Sequence, residues 1–177
     1  MTVKKAAGGG PRADRAGSLE DTSGMSVAVY AAAGLSLVAA LIHFGVAPEH
    51  FEEWWGYGSF FVILATGQML FVPLLLRWPA GRLIPLAGIS GNLVVVTLYL
   101  VSRTWGMPLG PDWMLFSPDA AHLEDPEVLG MLATAAELGT IFFLVILLDG
   151  LYRRVVINAL LFLGALLWTL RLAGILP

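Results

Sequence analysis

The sequence predicts an all-α integral membrane protein, a bundle of five transmembrane helices. Of its 177 residues, 58% are hydrophobic and 13% are charged, and the mean hydropathy is +0.80. The apolar residues form five stretches, each near the roughly 20 residues that cross about 30 Å of hydrocarbon. In lipid, a helix satisfies its own backbone hydrogen bonds, so spans of this length are helical.

Residues 1–24 precede the first span and are predicted to be a disordered cytoplasmic tail. They contain Gly8-Gly9-Gly10-Pro11 and scattered charges, with too few apolar side chains to offset the entropy lost on ordering. No short apolar core with a small-residue cleavage site follows the first basic residues, so the tail is not a signal peptide. The transmembrane domain is therefore predicted over residues 25–177.

The five spans are predicted at residues 25–46, 57–77, 83–103, 128–148 and 154–175. Pro48 is expected to end the first helix and open the second, because proline fits the first turn of a helix. This makes residues 49–55 an interfacial turn, in which Trp54 and Trp55 suit the headgroup level.

The distribution of basic residues predicts the orientation. Eight of them fall on the side of the tail, namely Lys4, Lys5, Arg12, Arg15, Arg77, Arg82, Arg153 and Arg154. Two of them, Arg103 and Arg171, fall on the opposite side. The N-terminus is therefore predicted inside and the C-terminus outside, in the plasma (inner) membrane of a bacterium.

Composition excludes several kinds of chemistry. The absence of cysteine removes disulfides and thiolate sites, which leaves His, carboxylate and Met as side-chain ligands. No basic stripe points to nucleic acid. No phosphate-binding loop, nucleophile elbow or haem-attachment motif is present, so no enzymatic reaction is assigned.

A buried polar layer is predicted from Glu137, Gln68 and Asn92, which lie near the centres of the fourth, second and third spans. An ionisable side chain facing lipid at this depth costs at least about 2.5 kcal/mol, so Glu137 should face the bundle interior. In the functional interpretation Glu137 binds or passes a proton or ion. In the structural one these groups only form interhelical hydrogen bonds.

A second group of polar residues surrounds the first outer turn. His43 and His50 are expected to approach each other because the chain reverses at Pro48, and Glu53 and Glu127 add carboxylates on the same side. Imidazole with carboxylate suits copper, zinc or iron, although the spacing matches no strong metal motif. The alternatives are a core histidine at position 43 and glutamates that complement a helix dipole.

The outer loop at residues 106–126 precedes the fourth span. Asp125 and Pro126 are typical of an N-cap and a first helical position. Below them, Glu127, Gly130, Thr134 and Glu137 are spaced by three, four and three residues along one side of the helix. This stripe either joins the outer mouth to the buried carboxylate or packs against a neighbouring helix.

Two segments carry a resemblance: HFGVAPEHFEEWWGYG at residues 43–58 and GNLVVVTLYLVSRTWGMPLGP at residues 91–111. They resemble small multi-span bacterial membrane proteins with no assigned activity. The resemblance covers about half the chain and implies a membrane location, but no functional residue.

Three functions stay open at this point. The first is an outward-facing His and carboxylate site that binds a transition metal or supports a redox partner. The second is a proton- or ion-coupled carrier that uses Glu137, and the third is an accessory subunit without chemistry. The predicted partners are the lipid bilayer and either another membrane protein or a second copy of this chain.

Overall fold

The computed structural model describes residues 11–79, 81–104 and 127–174. These residues form five helices: α1 (Pro11–Glu53), α2 (Trp55–Arg77), α3 (Leu83–Thr104), α4 (Val128–Leu147) and α5 (Gly150–Leu172). All five are long and apolar enough to cross a membrane, with spans at Gly24–Glu53, Trp55–Arg77, Leu83–Arg103, Val128–Leu147 and Gly150–Leu172. The predicted all-α fold with five spans is confirmed, while the inside and outside assignment stays a prediction.

Helix α1 differs from its predicted bounds at both ends. It begins at Pro11, inside the segment that the sequence predicts to be disordered, where alanine, arginine and leucine favour a helix. It also continues through Pro48 to Glu53, so Pro48 does not end the first span. Proline inside a helix removes one backbone hydrogen bond but need not end the helix in a membrane. Consequently His43 and His50 lie on one continuous helix.

Helix α1 packs against both α2 and α4, and α4 also contacts α3 and α5. The buried face of α1 is built mostly from small side chains, which let neighbouring helices approach closely. The buried residues of α1 are Ala28, Val29, Ala32, Ala33, Ser36, Ala39, Ala40, His43, Val46 and Ala47. Two of these side chains are polar, and His43 is the larger of them.

Apolar packing is concentrated near the end of the bundle where α2 and α4 finish. Leu75 of α2 and Leu144 of α4 are fully buried there, together with Val29 of α1 and Ile89 of α3. This apolar cluster fills the space between the helices at the end that carries Arg77. Because its residues are apolar and buried, it separates the polar centre of the bundle from that end.

The remaining helices are attached less evenly. Helix α3 packs against α4 but touches α2 at few points, and α5 contacts α4 only slightly. None of the described residues of α5 is buried, although Val156 and Leu160 are partly buried against the apolar cluster. Most of its other apolar side chains are exposed. Arg82 Nη1 donates a hydrogen bond to the Tyr152 hydroxyl at 2.9 Å and connects the start of α3 to the start of α5.

Candidate functional site: a buried histidine and glutamate pair

The polar centre of the bundle is a direct contact between α1 and α4. His43 Nε2 lies 2.9 Å from Glu137 Oε1, and the two side chains are 7% and 1% exposed. They are the only titratable side chains among the buried residues in the described part of the chain. The sequence places both residues in apolar spans but assigns them to different groups, with His43 in the metal site and Glu137 in the polar layer.

The depth of the pair follows from the helix bounds. His43 lies ten residues before the end of α1 at Glu53, and Glu137 lies nine residues after the start of α4 at Val128. At about 1.5 Å per residue, both side chains are about 15 Å from the same end of the bundle. Both residues therefore lie inside the candidate membrane spans of their helices, Gly24–Glu53 and Val128–Leu147.

Gln68 of α2 is the third member of this centre. Its Nε2 donates to Glu137 Oε1 at 3.4 Å, so one carboxylate oxygen receives contacts from two helices. The backbone carbonyl of Gln68 accepts a hydrogen bond from Ser36 Oγ at 3.2 Å. These bonds hold α2 in register with α1 and α4, as buried polar groups between membrane helices commonly do.

Asn92 does not join this group directly. It is buried like Gln68, as its depth predicts, but its Nδ2 donates to the Gly88 carbonyl of its own helix at 2.8 Å. Asn92 and Gln68 instead line the same cavity between α3 and α2. The predicted polar layer is therefore divided in two. His43, Gln68 and Glu137 form a hydrogen-bonded centre, whereas Asn92 lies on α3 at the cavity and bonds only within its own helix.

His50 lies apart from the buried pair. It is seven residues after His43 on α1, which is about two helical turns or 10 Å along the axis. The ring of Phe61 lies against both imidazoles, stacked on His50 at 4.2 Å and tilted towards His43 at 5.6 Å. The expectation that a chain reversal at Pro48 brings the two histidines together is wrong, because α1 does not end there. Phe61 was not predicted to lie at the site, since nothing in its sequence context separates it from other lipid-span phenylalanines.

The carboxylates of the predicted metal site are also dispersed. Glu53 Oε2 contacts His50 Nδ1 at 3.0 Å, and its side chain is 52% exposed. Glu127 is exposed at the N-cap of α4, ten residues before Glu137 and therefore about 15 Å away along the helix. Within the described residues, no group of three or more His, Asp or Glu side chains is placed to hold a metal ion. The copper, zinc or iron site thus gains no support here.

The start of α4 also differs in detail from the sequence prediction. The N-cap residue is Glu127, whose side chain makes no capping hydrogen bond, and not Asp125 as predicted. Asp125 lies outside the described residues, together with the rest of residues 105–126. On the stripe below, Gly130 is covered by the Tyr99 ring, whose Cε2 would lie 3.1 Å from a Cβ at this position. Of the two interpretations of this stripe, helix packing is the one that the contact favours.

A histidine and a glutamate in contact can hold up to two protons between them. With one proton between them, the two side chains have no net charge, either as imidazolium and carboxylate or as neutral imidazole and carboxylic acid. Loss of this proton leaves a single negative charge, and a second proton leaves a single positive one. An unpaired charge is costly in an apolar interior, and no Lys or Arg is among the buried residues of the described helices. A change of protonation therefore requires a change in what surrounds the pair.

No protein-family model, no curated protein sequence and no solved structure matches the chain. The fold and the site therefore define its class by themselves. The protein is a polytopic helical membrane protein with a histidine and glutamate pair buried inside the bundle.

Proposed function

We propose that the protein is a proton-coupled carrier whose proton-binding site is the His43 and Glu137 pair. The observation that supports this function is the contact of 2.9 Å between the two side chains, both almost fully buried. Ionisable groups inside membrane spans are costly, and in transporters they mark proton and ion pathways. A second copy of the chain or a membrane partner would leave this site in place, because it lies inside one bundle.

The surroundings of the pair support a gated site. On one side, the apolar cluster around Leu75 and Leu144 separates it from the end that carries Arg77. On the other side, the Phe61 ring contacts both His43 and His50, and the His50 side chain is 19% exposed. Water would reach the pair only after one of these two barriers moves, and hydration would lower the cost of changing its charge. Coupling of a proton to such a movement is the essential step of a carrier.

The proposal is tested by proton binding in proteoliposomes adsorbed on a solid-supported membrane. An external pH step should produce a transient current in the wild type, because a proton that enters the membrane interior moves charge across part of the bilayer. This measurement needs no knowledge of the transported solute. Glu137→Gln and His43→Gln should each abolish the transient, since each leaves one titratable group without its partner.

The control is His50→Gln, which changes the same residue type on the same helix but leaves the buried pair intact. It should retain the wild-type transient. Absence of any transient in the wild type, or an unchanged transient in Glu137→Gln, would mean that the pair only fixes helix packing. The protein would then belong to the accessory class that the sequence leaves open. Infrared difference spectra after the same pH step should contain a carboxyl band that Glu137→Gln removes and Glu53→Gln retains.

A further inference from the structure

Gln68 is the single glutamine of the chain, and only one end of its side-chain amide is paired. The nitrogen Nε2 donates to Glu137 Oε1 at 3.4 Å, whereas the oxygen Oε1 is buried and has no donor from the described residues. An unpaired buried acceptor is unfavourable. This oxygen is therefore available to a donor that arises when the charge state of the site changes.

The side chains around the amide restrict what this donor is. Among the buried residues of the described helices, the titratable side chains are His43 on α1 and Glu137 on α4. The other buried polar side chains carry no charge, namely Ser36, Asn92, Ser102 and Thr140, and none of the described residues of α5 is buried. The Glu137 carboxyl already contacts the amide, and it becomes a donor when it is protonated.

We propose that the Gln68 amide turns over when Glu137 takes up a proton. Beside the carboxylate, the amide nitrogen donates to Glu137 Oε1, as in the structure. In the carboxylic acid the proton forms an O–H bond at Oε1, and a half-turn of the amide lets Gln68 Oε1 accept from this hydroxyl. The same hydroxyl oxygen can still accept from His43 Nε2–H through a lone pair. Gln68 is thus a positioning residue that keeps the carboxyl hydrogen-bonded in both charge states.

The geometry is compatible with this half-turn. The two ends of an amide are nearly equal in size, so both orientations fill the same space, and the terminal torsion of glutamine is broad and roughly two-fold. The Gln68 backbone is held separately, because its carbonyl accepts from Ser36 Oγ at 3.2 Å. The 3.4 Å contact of the nitrogen is also longer than the about 2.7–3.2 Å of most N–H···O bonds, whereas O–H···O bonds are about 2.5–3.0 Å. Gln68 therefore stabilises the acid more than the carboxylate and favours proton uptake.

This inference rests on the proposed function, since it requires Glu137 to gain and lose a proton. It is tested in lipid nanodiscs with glutamine labelled by ¹³C and ¹⁵N in the side-chain amide, which reports on Gln68 alone. Acidification should move the Gln68 carbonyl carbon downfield as its oxygen gains a donor. This movement should follow the same pH dependence as the infrared carboxyl band of Glu137. In Glu137→Leu, which has no carboxyl to protonate, the Gln68 signal should not depend on pH.

The variant Gln68→Met tests the effect on proton binding, because methionine is unbranched and of similar length but has no amide. Loss of about one net hydrogen bond to the acid should weaken proton binding by Glu137 about threefold to tenfold. The measurement is the pH dependence of the carboxyl band, which a loss of packing alone would not displace in the folded protein.

The matched control is Asn92→Leu. Asn92 is also 6% exposed and also carries a buried oxygen without a donor from the described residues. Its amide bonds to the Gly88 carbonyl of its own helix and not to Glu137. Asn92→Leu should therefore leave proton binding by Glu137 within about twofold of the wild type.

The outcomes distinguish this inference from the proposed function. A Gln68 signal that stays constant while the Glu137 carboxyl band titrates would overturn the inference alone, as would equal proton binding by Gln68→Met and Asn92→Leu. A wild-type carboxyl band that does not respond to pH would overturn both, because Glu137 would then keep one charge state. The labelled wild type decides the question even where Gln68→Met does not fold.

Discussion

Replacement of Glu137 by leucine is the most direct perturbation of the polar centre. Glu137 Oε1 forms a hydrogen bond with His43 Nε2 at 2.9 Å and accepts one from Gln68 at 3.4 Å, and leucine can form neither. Two buried groups left unpaired would cost about 2–6 kcal/mol in total. Hydrogen bonds between membrane helices average about 0.6 kcal/mol, so we expect the lower end, about 2–3 kcal/mol.

Two matched variants separate the loss of the hydrogen bonds from the loss of charge. Glu137→Gln keeps a side chain that can form a hydrogen bond with His43 and should cost less than about 1 kcal/mol. Glu53→Leu makes the same chemical change in the exposed pair with His50, which is three residues away in sequence, and should cost less than about 0.5 kcal/mol. The free energy of unfolding is measured by titration with sodium dodecyl sulfate in mixed micelles, followed by circular dichroism.

The double variant His43→Leu with Glu137→Leu tests the contact itself. Replacement of both partners by apolar side chains leaves neither group of the pair buried alone, and such replacements are often nearly neutral. The double variant should therefore be more stable than the sum of the two single changes predicts, by at least about 1 kcal/mol. Strict additivity, or a Glu137→Leu variant as stable as Glu53→Leu, would refute the assignment of this pair as the centre of the bundle.

Two further predictions concern packing and topology. A Cβ at Gly88 would lie 2.5 Å from Phe71 Cζ and 2.6 Å from Leu144 Cδ1, so Gly88→Ala should cost about 1–3 kcal/mol in the same unfolding measurement. The control is Gly91→Ala on the same helix, where a Cβ would meet open space, and it should be neutral or stabilising by up to about 1 kcal/mol. A larger loss of stability in Gly91→Ala than in Gly88→Ala would contradict the packing between α3 and its neighbours. A reporter that is active only outside the cytoplasm should be active when fused after Pro177 and silent when fused after Gly150, and the reverse pattern would overturn the orientation drawn from basic residues.

The sequence by itself determines the number and approximate bounds of the spans, because hydropathy over about 20 residues depends only on local composition. It also identifies Glu137, Gln68 and Asn92 as interior residues, since a polar side chain near the centre of an apolar span is costly when it faces lipid. It does not determine where α1 ends. Proline is compatible with both a helix start and a helix interior, and packing around residues 48–53 decides between them.

Only the tertiary structure decides which of these polar residues meet. The contact between His43 and Glu137 joins residues 94 positions apart, and it depends on the rotation and depth of α1 relative to α4. Hydropathy sets neither quantity to within a helical turn, because each apolar helix can rotate or slide in lipid at little cost until close packing of small residues fixes it. For the same reason the cavity between α2 and α3, and the place of Phe61 against the two histidines, follow from the assembled bundle and from no local pattern in the chain.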